Sequence, residues 1–446
     1  MSTPTPEAKS PTQANPPSEN YDPHKHRENT KATNNMETLI HLVKCCLGTG
    51  ILAIPQAFSR TGLITGIIGT VFVGILLTHC LQMLIKMQYK VCKKQRVPQL
   101  TYTQCIEAAI LSGPPRIHGL AKPLASSVDI FLITYQLGVC CVYVVFIADN
   151  MKKMIDPVQE MSLTVHMLIL VVPLVALNLI PSLKLLAPFS LLANILTLVG
   201  IGIIVYYLLT TKKALESDQL DYWGTPTQVP LFFGTIMFAL TSVPVVVALE
   251  KNMKTPKDFT NCFGVLNTGM FFIVALYSIV GALGYVFCVS VCSDSITLDL
   301  PRGALALSVQ IMMCIAIFIS YGLHCYVPVE VIFQSYVLPA LEKRNASKTQ
   351  LLLGEYAVRI GLCLFTLLVA MLVPRLGLII SLFGALCLSA LGMCFPTMME
   401  ICLSYPNQYG PLKIYLIKDI FLFLFGIVGL VAGTYSAIAA IIKSFM

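Results

Sequence analysis

Long apolar segments alternate with short polar ones along almost the whole chain. Each apolar segment is near the ~20 residues that a helix needs to cross a hydrocarbon core of ~30 Å. Within the segments the apolar residues are continuous rather than alternating, which excludes a β-barrel. The pattern therefore predicts eleven transmembrane helices, at about residues 37–58, 64–86, 124–149, 162–180, 187–210, 229–249, 262–287, 304–334, 354–373, 377–401 and 413–443.

The amino-acid composition indicates the same fold class. Hydrophobic residues make up 56% of the 446-residue chain, charged residues make up only 12%, and the mean hydropathy is +0.77. A soluble domain must cover its surface with polar side chains, and this composition does not supply enough of them. We therefore expect an all-α polytopic membrane protein whose partner along its outer faces is the lipid bilayer.

The first 35 residues differ from everything that follows. They are rich in Pro, Ser, Thr and Asn, as in MSTPTPEAKSPTQANPPSEN, and contain almost no apolar side chains. Such a segment cannot bury enough apolar surface to offset the entropy lost on ordering, so it is predicted to be disordered. It also lacks the apolar core of a cleaved signal peptide. The expected organisation is a tail, residues 1–35, and a membrane domain, residues 36–446.

The distribution of basic residues predicts the orientation. When the connections are assigned to alternate sides of the membrane, the side that contains the tail holds 21 of the 30 Lys and Arg residues. Positive charge favours the cytoplasmic side, so the N-terminus is expected there and the C-terminus outside or in a lumen. The same residues are scattered and form no long basic run, so no nucleic-acid partner is expected.

The first apolar segment contains its own helix breakers. It reads HLVKCCLGTGILAIPQAF over residues 41–58, with Gly48, Gly50 and Pro55 in its middle. Each glycine weakens a helix by ~1 kcal/mol relative to alanine, and proline removes a backbone donor. In lipid, peptide groups freed by a break are tolerated only where protein or a water-filled cavity satisfies them. The stretch is thus either a binding site at membrane depth or a close helix crossing built on small residues.

A second segment is interrupted in a similar way. It reads LFFGTIMFALTSVPVVVALE over residues 231–250, with Gly234-Thr235 early and Pro244 after Thr241-Ser242. The two interrupted segments are five spans apart, which is the interval of a five-plus-five inverted repeat. The repeats would cover residues 37–210 and 229–401, and the segment 413–443 would be an extra span.

Four stretches together resemble one known family. LIHLVKCCLGTGILAIPQAFSRTG is similar to the first span of the proton-coupled amino acid transporters, a branch of the amino acid/auxin permease superfamily, and FFGTIMFALTSVPVVVALEKNMKTPKDF is similar to their sixth. GVCCVYVVFIADN resembles their third span and YVPVEVI their eighth. The resemblance implies eleven spans and a leucine-transporter-like fold with spans 1 and 6 broken. It also implies proton-driven symport of small neutral amino acids, without a cofactor, at the plasma or lysosomal membrane.

The resemblance also implies a substrate site. The backbone amides of Gly48, Thr49 and Gly50 would bind the substrate carboxylate, and backbone carbonyls in the sixth span would bind the ammonium group. Span 3 and span 8 tyrosines would line the side-chain pocket, although they are equally well explained as packing or interface aromatics. The expected residues outside the first span are Ala239, Leu240, Thr241, Ser242, Tyr135, Tyr143 and Tyr321.

Two ionisable residues precede the first break. His41 occupies the place of the family's first-span histidine, which implies proton coupling, and its ordinary pKa near 6.5 suits that role. It lies near the end of the span, so it could instead reach the interface or cap the helix. Lys44 is one turn further along the same face and is expected to pair with an acid such as Glu250 or Glu330, or with a carbonyl.

The chain departs from the family pattern in span 6. Many members have Glu-Gly where this chain has Thr241-Ser242, and neither hydroxyl titrates. This leaves two alternatives to symport open: a proton-independent facilitative transporter and a membrane amino acid sensor. An enzyme is not expected, because there is no nucleophile elbow or phosphate-binding loop. No metal site is expected either, since Cys288 and Cys292 are separated by three residues rather than two.

Overall fold

The computed structural model describes residues 21–27, 32–180, 183–210, 220–240, 243–288 and 292–445. Over these residues the chain is almost entirely helical and contains no strand beyond an isolated bridge between Thr33 and Met253. The helices are α1 (Asn35–Cys46), α2 (Thr49–Thr61), α3 (Leu63–Gln95), α4 (Tyr102–Leu111), α5 (Ala121–Ile155), α6 (Leu163–Asn178), α7 (Leu183–Thr210), α8 (Val229–Leu240), α9 (Val243–Lys251), α10 (Val265–Cys288), α11 (Ala304–Ile332), α12 (Leu338–Glu342), α13 (Lys348–Leu372), α14 (Leu376–Phe383), α15 (Phe395–Leu403) and α16 (Ile414–Lys443).

Every predicted apolar segment falls on a helix or a helix pair, which confirms the all-α membrane fold class. In the part of the chain that the structure describes, nine helices are long and apolar enough to cross a membrane, or ten when the bent pair α1–α2 counts as one span. The segment predicted at 162–180 is α6, which has only 16 residues. The count of eleven spans therefore stays a prediction that depends on α6.

The helices form an inner and an outer layer. In the span that contains α8 and α9, 81% of the most apolar window is buried, and in the span from α14 to α15 the share is 78%. In α16 the share is only 17%, and in α7 and α13 it is 28%. A helix that is apolar all round and buried is surrounded by other helices, whereas an apolar helix with an exposed surface faces lipid. The helices α8, α9, α14 and α15 therefore form the centre of the bundle.

Two central helices approach each other backbone to backbone. A Cβ added at Gly234 of α8 would lie 2.2 Å from the carbonyl oxygen of Ser381 in α14. One added at Gly384 would lie 1.9 Å from the carbonyl oxygen of Gly234. Small residues allow this approach, which strengthens dispersion contacts where lipid offers no hydrophobic drive for association. The crossing fixes α8 against α14.

Part of the segment predicted to be a disordered tail, residues 21–27 and 32–34, lies among the described residues and contacts the bundle. Pro23–His26 forms a 3-10 turn, and Arg27 donates to a carboxylate oxygen of Glu250 at 3.0 Å with both side chains buried. The backbone of Thr33 exchanges hydrogen bonds of 2.9 Å with Asn252 and Lys254. A polar segment with no core of its own can still order by docking its charges on the end of a bundle.

His24 in this segment is partly buried, and its Nδ1 lies 3.8 Å from a carboxylate oxygen of Glu250. Its ring stacks on Tyr89 with 4.6 Å between centroids. Burial, together with the nearby charge of Arg27, lowers the pKa of His24 to about 4, so the ring is neutral at physiological pH. We call one end of the bundle the amino-terminal end, because this segment docks there and α1 begins there. We call the opposite end the far end.

We predict opposite effects for two glycine-to-alanine substitutions. Gly234→Ala places a methyl group against the Ser381 carbonyl and should destabilise the protein by ~1–3 kcal/mol, as overpacking does. Gly361→Ala in α13 meets nothing within 4 Å and should stabilise by ~0.5–1 kcal/mol. Melting curves in detergent, followed with a thiol-reactive dye that reports exposure of buried cysteines, measure both. Equal melting temperatures for the two variants would contradict the close crossing.

Candidate functional site

The first predicted break is present in the structure. α1 ends at Cys46, α2 begins at Thr49, and the two axes are bent by 54°. The N–H of Leu47 closes α1 by donating to the carbonyl oxygens of Lys44 and Val43. Gly48 then leaves the helical conformation at φ −132° and ψ −151°. The first amides of α2 consequently have no partner within their own helix and point out of its N-terminal end.

A cavity of about 230 Å³ lies at this break. The break itself, α5, α7, α8 and α11 contribute to its walls, and α1 and α9 complete it. A cavity of this size fits a small solute. The polar side chains in its lining belong to Lys44, Thr49, Tyr135, Tyr143, Ser190, Asn194, Thr197, Ser320 and His324.

Most of the residues predicted for the substrate site meet at this cavity. Tyr135 and Tyr143 face it from α5, and Tyr135 also packs against Phe238 of α8, with 6.1 Å between ring centroids. Thr241 and Ser242 lie outside the described residues. The predicted residues that line the cavity are Gly48, Thr49, Gly50, Ala239, Tyr135 and Tyr143.

Two predicted site residues do not line the cavity. Leu240 is fully buried in the helix packing. Tyr321 is also fully buried, and its hydroxyl forms a hydrogen bond of 2.8 Å with the hydroxyl of Thr366 on α13. The cavity wall in α11 is formed instead by residues such as Ser320 and His324. Successive helical residues point ~100° apart, so Tyr321 faces away from the cavity that its neighbour Ser320 lines.

The two ionisable residues of α1 occupy different environments from those expected. His41 is exposed and is not part of the cavity lining. Lys44 lines the cavity, and its expected partner Glu250 is paired with Arg27 instead. Among the described residues that line the cavity there is no Asp or Glu. The cavity therefore carries a lysine and no carboxylate to balance it.

His324 is a cavity residue that was not among the residues predicted for the substrate site. It lies in α11, and its Nδ1 forms a hydrogen bond of 2.7 Å with the amide oxygen of Gln136 on α5. The edge of Tyr143 lies against the ring, with 5.4 Å between centroids. An isolated histidine in an apolar segment usually signals a helix-to-helix contact, and His324 makes one. Only the three-dimensional structure adds that the same ring faces the cavity.

The two sides of the break differ in exposure. Lys44 is half-buried and Cys45 is exposed, and both belong to α1 at the amino-terminal end. On the other side, Ile51 and Leu52 of α2 are 1% and 2% exposed. The α1 side of the break is therefore the more exposed one, and the α2 side is packed against other helices.

A polar network joins the helices at the far end. Gln56 of α2 donates to a carboxylate oxygen of Asp294, and Arg60 donates to Gln56 at 3.0 Å and to the hydroxyl of Ser381 at 3.1 Å. The other carboxylate oxygen of Asp294 accepts from the N–H of Gly377 in α14 at 3.1 Å. The network connects α2, α14 and the loop after α10, which are the elements that close this side.

Comparison with known proteins agrees with this geometry. The family model described as "Transmembrane amino acid transporter protein" matches residues 31–439. The chain belongs to this amino acid transporter family. It is 35% identical over 428 residues to the "Proton-coupled amino acid transporter-like protein pathetic" of Drosophila melanogaster, covering 95% of this chain and 89% of the relative. It is also 23% identical over 426 residues to the "Probable amino acid transporter skat-1" of Caenorhabditis elegans, covering 91% and 90%.

A solved transporter shares the fold. A Na⁺-coupled sialic acid symporter in a substrate-bound outward-open state superposes with a TM-score of 0.53 over 93% of each chain, at 13% sequence identity. This family member is thus an integral membrane transporter with a transporter fold and not an enzyme. The predicted family resemblance and fold class are confirmed, and the break in the sixth segment stays a prediction because residues 241–242 are not described.

We predict that Gly48→Val blocks the site without unfolding the protein. The backbone of Gly48 is extended, and an added Cβ meets nothing within 4 Å, so the larger side chain points into open space at the break. Even one misplaced methylene in a binding pocket costs ~1–3 kcal/mol, so amino acid uptake should fall by at least about tenfold. Radiolabelled uptake at several substrate concentrations measures the change.

Gly303→Val is the matched control. Gly303 is also the glycine that precedes a helix, here α11, and a Cβ there also meets nothing within 4 Å, but the residue is not in the cavity. Its uptake should remain close to that of the unmodified protein. Equal loss in both variants, or full uptake by Gly48→Val, would argue against the cavity as the substrate site.

Proposed function

We propose that this protein is a proton-coupled symporter of small neutral amino acids that works by alternating access. The observation that carries the proposal is the cavity at the break between α1 and α2, because it places the free amides of a helix end beside open space at membrane depth. Transporters built on broken helices use such ends to bind charged substrate groups. The related protein of Drosophila melanogaster is named a proton-coupled amino acid transporter-like protein, which supports the same class of function.

The walls of the cavity favour a zwitterion with a small, uncharged side chain. The N-terminal amides of α2, at Thr49 and Gly50, carry a partial positive charge that suits a carboxylate, and Lys44 adds a full one. Backbone carbonyls near Ala239, where α8 ends, suit the ammonium group. A cationic side chain would meet no carboxylate among the described lining residues, and the volume of about 230 Å³ limits the size.

In alternating access, the open end and the closed end of the bundle would change places. From the greater exposure of the α1 side we infer that the cavity opens past α1 in this conformation, while the network of Gln56, Arg60, Asp294 and Ser381 joins the helices at the far end. We propose that these hydrogen bonds break when the far end opens, and that α1 and α9 then close the amino-terminal end. With the N-terminus in the cytoplasm, as the basic residues predict, the present state faces inward, at the plasma or lysosomal membrane.

His324 is the group that best fits the proton-coupling step. Among the described residues that line the cavity, it is the only side chain whose ordinary pKa lies between 5 and 8. His41, the residue implied by the family resemblance, is exposed outside the cavity and has no direct route to the substrate in this conformation.

We predict that an inward proton gradient drives accumulation of small neutral amino acids in proteoliposomes. One pH unit supplies ~1.4 kcal/mol per proton, enough for about tenfold accumulation. Alanine and glycine should accumulate, and lysine should not compete. Uptake that equilibrates without exceeding the outside concentration would indicate facilitative transport, and saturable binding with no flux would indicate a sensor. Either result would contradict coupled symport.

We predict that His324→Gln uncouples transport from the proton gradient. Glutamine keeps a hydrogen bond to Gln136 but does not titrate, so exchange of labelled for unlabelled substrate should continue while concentrative uptake is lost. His41→Gln is the comparison variant and should retain pH-dependent accumulation. If the His41 variant loses accumulation and the His324 variant keeps it, the coupling group is the first-span histidine.

A further inference from the structure

Three metal-ligating side chains meet at the far end, outside the substrate cavity. Cys288 is the last residue of α10, and Cys292, Ser293 and Asp299 belong to the loop that leads to α11. The two Sγ atoms and a carboxylate oxygen of Asp299 all lie within 4.8 Å of one another. Cys292 is 7% exposed, and the other two are half-buried. The spacing of the cysteines alone did not predict this cluster, because the third ligand comes from seven residues beyond Cys292.

Neighbouring groups orient the carboxylate toward the thiols. The N–H of Ser293 donates to Oδ2 of Asp299 at 3.0 Å, and its hydroxyl donates to Oδ1 at 2.6 Å. The thiol of Cys288 donates to the same Oδ2 at 3.3 Å. A ligating carboxylate in a metal site is usually held by hydrogen bonds of this kind, which fix its direction before the metal binds.

The loop around the cluster is anchored to the bundle. Lys153 of α5 donates to the backbone carbonyl oxygens of Leu298 at 2.6 Å and Leu300 at 3.0 Å, on both sides of Asp299. The third ligand therefore has a fixed position relative to the helices. A metal that binds here would find its ligands already close together, so little ordering entropy would be lost on binding.

We propose that Cys288, Cys292 and Asp299 form a binding site for Zn²⁺. Zinc takes four tetrahedral ligands, with thiolate and carboxylate among its preferred donors, and three protein ligands leave the fourth position for water. On binding, each thiol releases a proton to solvent and its sulfur bonds to the metal, while Asp299 exchanges the hydrogen bond from Cys288 for a metal bond. Hard cations such as Mg²⁺ prefer all-oxygen sites and are not expected to bind here.

The position of the site gives Zn²⁺ a route to regulate transport, and this part rests on the proposed function. Asp294, which joins Gln56 of α2 to Gly377 of α14, lies in the same loop between Cys292 and Asp299. A metal that fastens the loop to the end of α10 would stabilise that arrangement. Opening of the far end requires Asp294 to separate from its partners, so Zn²⁺ should slow the transport cycle without competing with substrate.

Zinc binding to the full-length purified protein tests the site independently of transport. After reduction and removal of metal, Zn²⁺ should raise the melting temperature, whereas Mg²⁺ at the same concentration should not. Asp299→Asn and Cys292→Ser should each remove the shift. Cys262→Ser is the matched control, because Cys262 is an exposed thiol of the loop before α10 at the opposite end of that helix, and it should keep the shift. A shift unaffected by the two site variants, or absent from the unmodified protein, would overturn the proposal.

Two further measurements keep the test decisive. Ser293→Ala keeps all three ligands and removes only the hydroxyl that orients Asp299, so it should weaken Zn²⁺ binding by about tenfold, as loss of an orienting group does. Mass spectrometry of the protein as isolated, after alkylation without reductant, should find Cys288 and Cys292 alkylated; a disulfide between them would overturn a metal site. Zinc binding without any effect on uptake would overturn only the regulatory part.

Discussion

Peptide groups freed from a helix inside a membrane must find partners, and this constraint determines the rest of the structure. At the break between α1 and α2 the chain gives up helical hydrogen bonds in a medium that offers none in return. The structure meets the cost by surrounding the break with protein on most sides and with a small cavity on the remaining one. Helices α5, α7, α8 and α11 form most of the wall around this cavity, and the exposed faces of the outer helices supply the apolar surface that lipid requires.

Close packing of small residues makes such an arrangement possible. A Cβ on Gly50 would lie 2.8 Å from the Cα of Ala239, so the break in the first segment is pressed against the end of α8. Gly234 and Gly384 bring α8 even closer to α14. The residues that line the cavity are thus positioned by helix crossings rather than by loops, which gives a binding site the rigidity it needs while leaving whole helices free to move as units.

Local chemistry explains which parts of the site were predictable. Gly48, Thr49 and Gly50 were predicted because glycine and proline in an apolar run weaken a helix regardless of its surroundings. The roles of Tyr321, His41 and Lys44 depend instead on which way each helix is rotated in the bundle, and an apolar run without a polar face carries no such information. The partner of Glu250 was missed because it comes from the tail, which has too little apolar content to indicate order on its own. His324 was not assigned to the site, and the cluster at Cys288 was missed, because their neighbours are distant in sequence.

A structure with a bound amino acid tests the central claim most directly. For the protein in lipid nanodiscs with alanine, the account predicts the substrate carboxylate within hydrogen-bonding distance of the backbone amides of Thr49 and Gly50, with α1 and α2 still separated. Substrate bound elsewhere, or a continuous helix through residues 47–50, would contradict it.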